Sequence, residues 1–151
     1  MLTFEQMLVR LIVALVLGAI LGVERELIGK EAGVRTEMLV AGGAALFTMA
    51  SLTLPYIVAT SPENLNGIIA SGGFLGMAAN IVVGIGFLGA GLIFRTDHPH
   101  NVTTAALVWM TAALGIMVGI GLIGFAATAT VVLVILLYVL RNITIAKQAE
   151  K

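Results

Sequence analysis

Cysteine is absent from this chain. Its absence removes disulfides, thiolate metal sites, iron–sulfur clusters and cysteine nucleophiles. It leaves the compartment open, since a chain without thiols survives in either redox environment. Charge is scarce as well: 11% of residues are charged, against about 25% in a typical soluble domain. The formal net charge is zero, so bulk charge implies no nucleic-acid partner. No Asp, Glu, Lys, Arg or His lies deep within any apolar run, which is where an ion pathway would place one. No Ser-His-Asp set, phosphate loop or midplane carboxylate pair is legible, so the chain is read as not an enzyme. Met1 to Gln6 has neither a basic segment nor a small-residue cleavage site, so no removable signal peptide is expected.

What is present is apolar. The chain is 60% hydrophobic, with a mean hydropathy of +1.10. Its apolar residues fall in long runs without a polar helical face. This composition predicts an all-α, polytopic integral membrane protein, one domain over 1–151, with the lipid bilayer as its first partner. The runs predict five transmembrane helices over about 8–23, 38–58, 68–94, 103–118 and 122–140, with a short polar tail over 141–151.

Each run has its own punctuation. In the first, Ala14, Gly18 and Gly22 recur every four residues and form one stripe suited to close helix packing. Arg10, near its start, can snorkel to the headgroups. The second run has 21 residues, enough to cross roughly 30 Å of hydrocarbon. It ends in Ser61-Pro62-Glu63-Asn64, read as a turn. The third run has 27 residues and would be roughly 40 Å long as one helix. It must tilt, begin outside the hydrocarbon, or break, with Gly72, Gly73 and Gly76 as break points. The last block, Thr103 to Leu140, would be roughly 57 Å long as one helix. The glycines at 119, 121 and 124 divide it in two.

The charges orient these helices. Lys and Arg number three in the first connection, none in the second, one in the third, none in the fourth and three in the tail. Five spans put those seven on one side and leave Arg10 on the other. The positive-inside rule then places the N-terminus outside and the C-terminus in the cytoplasm.

One stretch concentrates the glycine, Asn80 to Arg95. Gly84, Gly86 and Gly89 match G-x-G-x-x-G, the dinucleotide fingerprint. That fingerprint needs a preceding strand and a soluble βαβ unit, and here apolar sequence continues on both sides. Gly84, Gly86, Gly89 and Gly91 are therefore expected to be packing glycines that let another helix's backbone approach. On a continuous helix Asn80 points towards packed helices, where an interhelical hydrogen bond is typically worth about 0.6–2 kcal/mol.

Several of these segments occur together: Leu21-Gly-Val-Glu24-Arg25-Glu26, Gly33-Val-Arg35-Thr36, Gly84-Ile-Gly86-Phe-Leu-Gly89-Ala-Gly91, Thr103-Thr104-Ala-Ala with Trp109, and Thr111-Ala-Ala-Leu-Gly115. In this order and spacing the chain resembles the MgtC/SapB family of bacterial inner-membrane proteins, over roughly Leu8 to Leu140. The resemblance implies a five-helix protein of the inner membrane, associated with magnesium limitation. Many members carry an extra C-terminal cytoplasmic domain, which is not expected here. Members usually have Arg, Gln and Ser where Gly76, Asn80 and Val83 stand.

The candidate chemistry gathers at the cytoplasmic helix ends. Glu24, Arg25, Glu26, Arg35 and Asp97 are expected to form a charged cluster. As a cation site, its carboxylates Glu24, Glu26 and Asp97 would collect hydrated magnesium, which needs only one or two of them. As an ion-pair network, the basic residues would tie helix ends together, and their near-equal number favours this. No cofactor is expected other than magnesium. Thr103 and Thr104 open the fourth helix and are read as caps, within a set of intramembrane polar residues that includes Asn80. His98 and His100 are read as a solvated turn. Three functions stay open. One is an accessory protein of magnesium homeostasis acting on other inner-membrane proteins. Another is a channel or transporter conducting an ion itself. The third is a structural helix-packing oligomer. Small residues make a homodimer plausible in each.

Overall fold

The computed structural model describes residues 1–94 and 102–149. It contains six helices: α1 Phe4–Leu27, α2 Val34–Val58, α3 Pro62–Ala70, α4 Gly73–Phe94, α5 Val102–Ile120 and α6 Ile123–Ala149. Five of them, all but α3, are long and apolar enough to cross a membrane.

Local chemistry sets the boundaries. Thr3 opens α1 with a capping box: its hydroxyl accepts from the Gln6 amide at 3.3 Å, and the Gln6 side chain accepts from the Thr3 amide at 3.1 Å. Each satisfies a backbone donor that the first helical turn leaves free. The Ser61–Asn64 segment, expected as a turn, instead starts a helix. Ser61 caps α3 by accepting from the Asn64 amide at 3.2 Å, and Pro62 takes the first helical position, where its missing N–H costs nothing.

The overlong third run is broken. α3 stops at Ala70, and Gly72 turns the chain with φ +68° before α4 begins at Gly73. The 22 residues of α4 then match the hydrocarbon thickness. The last block divides at Gly121, with φ +101°. There the Gly121 amide donates to the Val118 carbonyl at 3.0 Å and the Leu122 amide to the Met117 carbonyl at 2.9 Å. That paired ending needs a left-handed residue, which glycine adopts without strain. α6 runs on to Ala149, so most of the expected polar tail is helical.

α2 is the centre of the bundle, with α1 and α5 packed on it. Among the described residues, the core is Ala14, Leu17 and Leu21 of α1, Ala41, Ala45 and Met49 of α2, Leu107, Leu114 and Val118 of α5, and Ala126 of α6. Missing side chains bring these backbones together. Gly18 lies on the Glu37 carbonyl and Ala41, Gly22 on the Val34 backbone, Gly115 on the Ala41 carbonyl and Ala44, and Gly119 on Thr48. With no hydrophobic drive between helices in lipid, such close approach is what holds them. α4 and α6 are peripheral. Over its most apolar stretch α4 is 6% buried within the chain, while α5 is 56% buried.

Candidate functional site

Glu24, Arg25 and Glu26 are consecutive on the last turns of α1. Successive helical residues point about 100° apart, so the three side chains have different fates. Arg25 turns into the bundle and is 3% exposed. Its Nη2 donates to Thr104 Oγ1 of α5 at 2.9 Å. Its Nη1 lies 3.8 Å from Glu24 Oε2, on its own helix. Its Nε has no hydrogen-bond partner, and neither does Glu24 Oε2. Glu26 turns towards the start of α2, where its Oε2 accepts from the Val34 amide at 3.1 Å. Gly33 precedes α2 without a capping side chain, so Glu26 supplies the cap from a neighbouring helix. A carboxylate there also meets the positive end of the α2 dipole.

Four of the five residues expected in a charged cluster, Glu24, Arg25, Glu26 and Arg35, lie among the described residues. Arg25 pairs loosely with Glu24, Glu26 is occupied by backbone, and Arg35 is exposed. Asp97 lies outside the described residues, as do Arg95, His98 and His100. Among the described residues no three His, Cys, Asp or Glu side chains converge as metal ligands. Glu24 and Glu26, two of the three carboxylates considered for magnesium, serve different partners. Thr104 is fully buried and accepts from Arg25, so its hydroxyl joins α1 to α5, where a helix cap was expected. Thr103 beside it is exposed.

Glu37 completes the site, and the sequence reading passed over it. It is 0% exposed, and neither carboxylate oxygen has a hydrogen-bond partner. Arg25 and Thr111 are close enough to act on its carboxyl group. The Thr111 hydroxyl is fully buried and makes no well-formed hydrogen bond of its own. A guanidinium, two hydroxyls and one carboxylate thus meet where α1, α2 and α5 pack, with several polar atoms unsatisfied. Helical phase was the available signal. Glu37, Ala41, Ala45 and Thr48 recur at three- and four-residue steps, one face of α2, and all four are buried.

The glycine-rich helix uses few of its glycines for packing within the chain. At Gly84, Gly86 and Gly91 an added Cβ would meet nothing within 4 Å. Only Gly89 of the four packs within the chain, where a Cβ would lie 3.6 Å from that of Ala105. α4 meets α5 at Gly89, and the other three glycines are exposed. Asn80 is likewise exposed. It lines an open groove of about 740 Å³ between α2 and α4, with Thr36, Gly43, Phe47, Gly84 and Leu88 among the walls. At the opposite end of the bundle Arg10 reaches across to α5. Its Nη1 donates to the Gly119 carbonyl at 2.7 Å, placing a cation at a helix C-terminus.

Comparison with known proteins follows the same residues. The model of the MgtC family matches residues 11–145. Protein MgtC of Salmonella typhimurium is 40% identical over 134 residues, 88% of this chain and 51% of that protein. Protein MgtC of Brucella abortus is 41% identical over 122 residues, 80% of this chain and 45% of that protein. An uncharacterized protein of Haemophilus influenzae is 35% identical over 128 residues, 83% of this chain and 52% of that protein. The chain thus spans about half the length of these curated relatives. No solved structure matches it. With a family match over nearly all of its membrane helices, the chain belongs to the MgtC family of multi-pass membrane proteins.

Proposed function

We propose that this protein works in the bacterial inner membrane in magnesium homeostasis, and that it acts through contacts with other membrane proteins or a second copy of itself. The observation that carries this is the groove between α2 and α4. It presents Asn80 beside Gly43 and Gly84, at neither of which an added Cβ would meet anything within 4 Å. Glycine is costly in a helix unless something needs the space, and an amide in an apolar span needs a hydrogen-bonding neighbour. A helix from another chain meets both needs. Nothing in this role requires catalysis or a bound cofactor.

The test uses a deletion strain grown in limiting magnesium. Wild type is expected to restore growth. Gly43→Leu and Gly84→Leu enter the groove from positions where an added Cβ meets nothing within 4 Å, and are expected to be produced and folded but not to restore growth. Full restoration by both overturns the proposal.

Ion conduction is the second reading, and buried Glu37 is what favours it. Purified protein in liposomes would then carry magnesium faster than empty liposomes do. The contact role expects the two rates to be equal.

A further inference from the structure

At the junction of α1, α2 and α5 one buried guanidinium, Arg25, stands between two carboxylates, Glu37 fully buried and Glu24 partly so. Glu24 and Arg25 face each other at 3.8 Å and account for one charge of each sign. Glu37 remains, fully buried, with both oxygens unpartnered. A net negative charge held away from water is costly unless something positive joins it. Polar groups reach this junction from α1 and α5. α5 supplies the hydroxyls of Thr104 and Thr111, both 0% exposed. α1 supplies Arg25, beside it Glu24, and the exposed Glu26, which is held by the Val34 amide. Of the other helices packed on α2, α4 contains no titratable residue and α3 contains Glu63, which is exposed. On α2 itself the neighbouring charge is Arg35, which is exposed.

We propose that Glu37, with the Thr111 hydroxyl, binds one monovalent positive charge, either an alkali cation or a proton. One unit suits the balance, because Glu24 and Glu37 against Arg25 leave a single negative charge. Magnesium suits it less well. It prefers six ligands in octahedral array and keeps several waters, whereas here a guanidinium stands beside the carboxylate. Occupancy would couple to packing, since the Glu37 carbonyl is also the surface on which Gly18 rests. Binding would therefore favour the closed arrangement of α1, α2 and α5. This does not depend on the α2–α4 groove or on any partner protein.

The experiment is thermal unfolding of the full chain in detergent micelles. Sodium or potassium is titrated against choline at fixed pH and ionic strength, and pH is varied separately in choline alone. Wild type is expected to gain stability with one of the two, an alkali ion or acid, and that identifies the ion. Glu37→Gln keeps the shape and removes the charge, and is expected to lose the response completely. Thr111→Val removes one oxygen and is expected to shift the midpoint of the response, which keeps the test decisive should Glu37→Gln fail to fold. A wild type indifferent to both overturns the proposal. So does a Glu37→Gln protein with the wild-type response, or an unmoved midpoint in Thr111→Val. Stabilisation by magnesium alone, lost in Glu37→Gln, overturns the monovalent assignment.

Discussion

Gly115 offers the sharpest test of the packing. A Cβ built there would lie 2.9 Å from the Ala44 Cβ and 3.0 Å from the Ala41 carbonyl carbon, with the Ala41 oxygen nearer still. None of these is the end of a flexible side chain, so none can swing aside. In Gly115→Ala, α5 must therefore move off α2 by several tenths of an ångström, and Leu114 and Val118 lose contact with Ala41 and Ala45. Overpacking of this kind typically costs about 1–3 kcal/mol. Helices in a bilayer form before they pack, so alanine's better helix propensity offsets little of it. In a chain of this size 1 kcal/mol moves the unfolding midpoint by about 2–4 °C, so a fall of roughly 2–12 °C is expected. Unfolding in micelles can be followed by the fluorescence of Trp109, the single tryptophan, which lies on α5 itself. Gly86→Ala is the control. It is the same chemical change in another apolar helix, but at Gly86 nothing lies within 4 Å, and a shift within about 0.5 kcal/mol is expected. Equal stability of Gly115→Ala and wild type, or equal loss in both variants, would refute this account of the close approach.

Three further outcomes follow from the same geometry. Arg25→Gln removes the cation between Glu24, Thr104 and Glu37, and should cost about 3–5 kcal/mol in the same unfolding assay, as breaking a buried pair does. An unchanged midpoint would mean that Arg25 is solvated. Arg10→Leu loses the 2.7 Å bond to the Gly119 carbonyl and the charge at the end of α5, and should cost about 1–2 kcal/mol; Arg10→Lys should recover part of it. A reporter fused at Lys151 should read cytoplasmic and one at Ser61 external, and the same side for both would rule out five spans with a cytoplasmic C-terminus.

The spans were legible in the sequence because their cause is local. An apolar run of the right length commits a helix to the bilayer whatever surrounds it, and a run that is too long must break. The break in the last block was legible for that reason as a turn among the glycines at 119, 121 and 124, and Gly121 is the one that makes it. The break before α4 was narrowed only to a choice of glycines, because Gly72, Gly73 and Gly76 each permit a turn. Pairing decided among them: Ser61 and Pro62 start a separate helix, and that helix has reached its end by Ser71. A serine followed by proline can open a turn or a helix equally well, and the sequence reading took the turn.

Density alone does not say which glycines pack within the chain, and the physical reason is azimuth. Gly84, Gly86, Gly89 and Gly91 drew attention by density. Spread over two turns, they point in several directions, and one line of them, through Gly89, meets α5. Gly18 and Gly22, and again Gly115 and Gly119, are spaced by four and so stack on one face. Those are the glycines whose neighbours are backbone. The same spacing governs the charges. Counting from the ends of the apolar runs put Glu24, Arg25 and Glu26 together at the headgroups and left Glu37 in a polar connection. Counting by helical phase puts Arg25 in line with Gly18 and Leu21, and Glu37 in line with Ala41 and Ala45, all of them buried. The buried polar site is therefore a consequence of the close glycine contacts. Where Gly18 and Gly22 draw α1 onto α2, the side chains one turn further along the same faces are enclosed with them, whatever their charge.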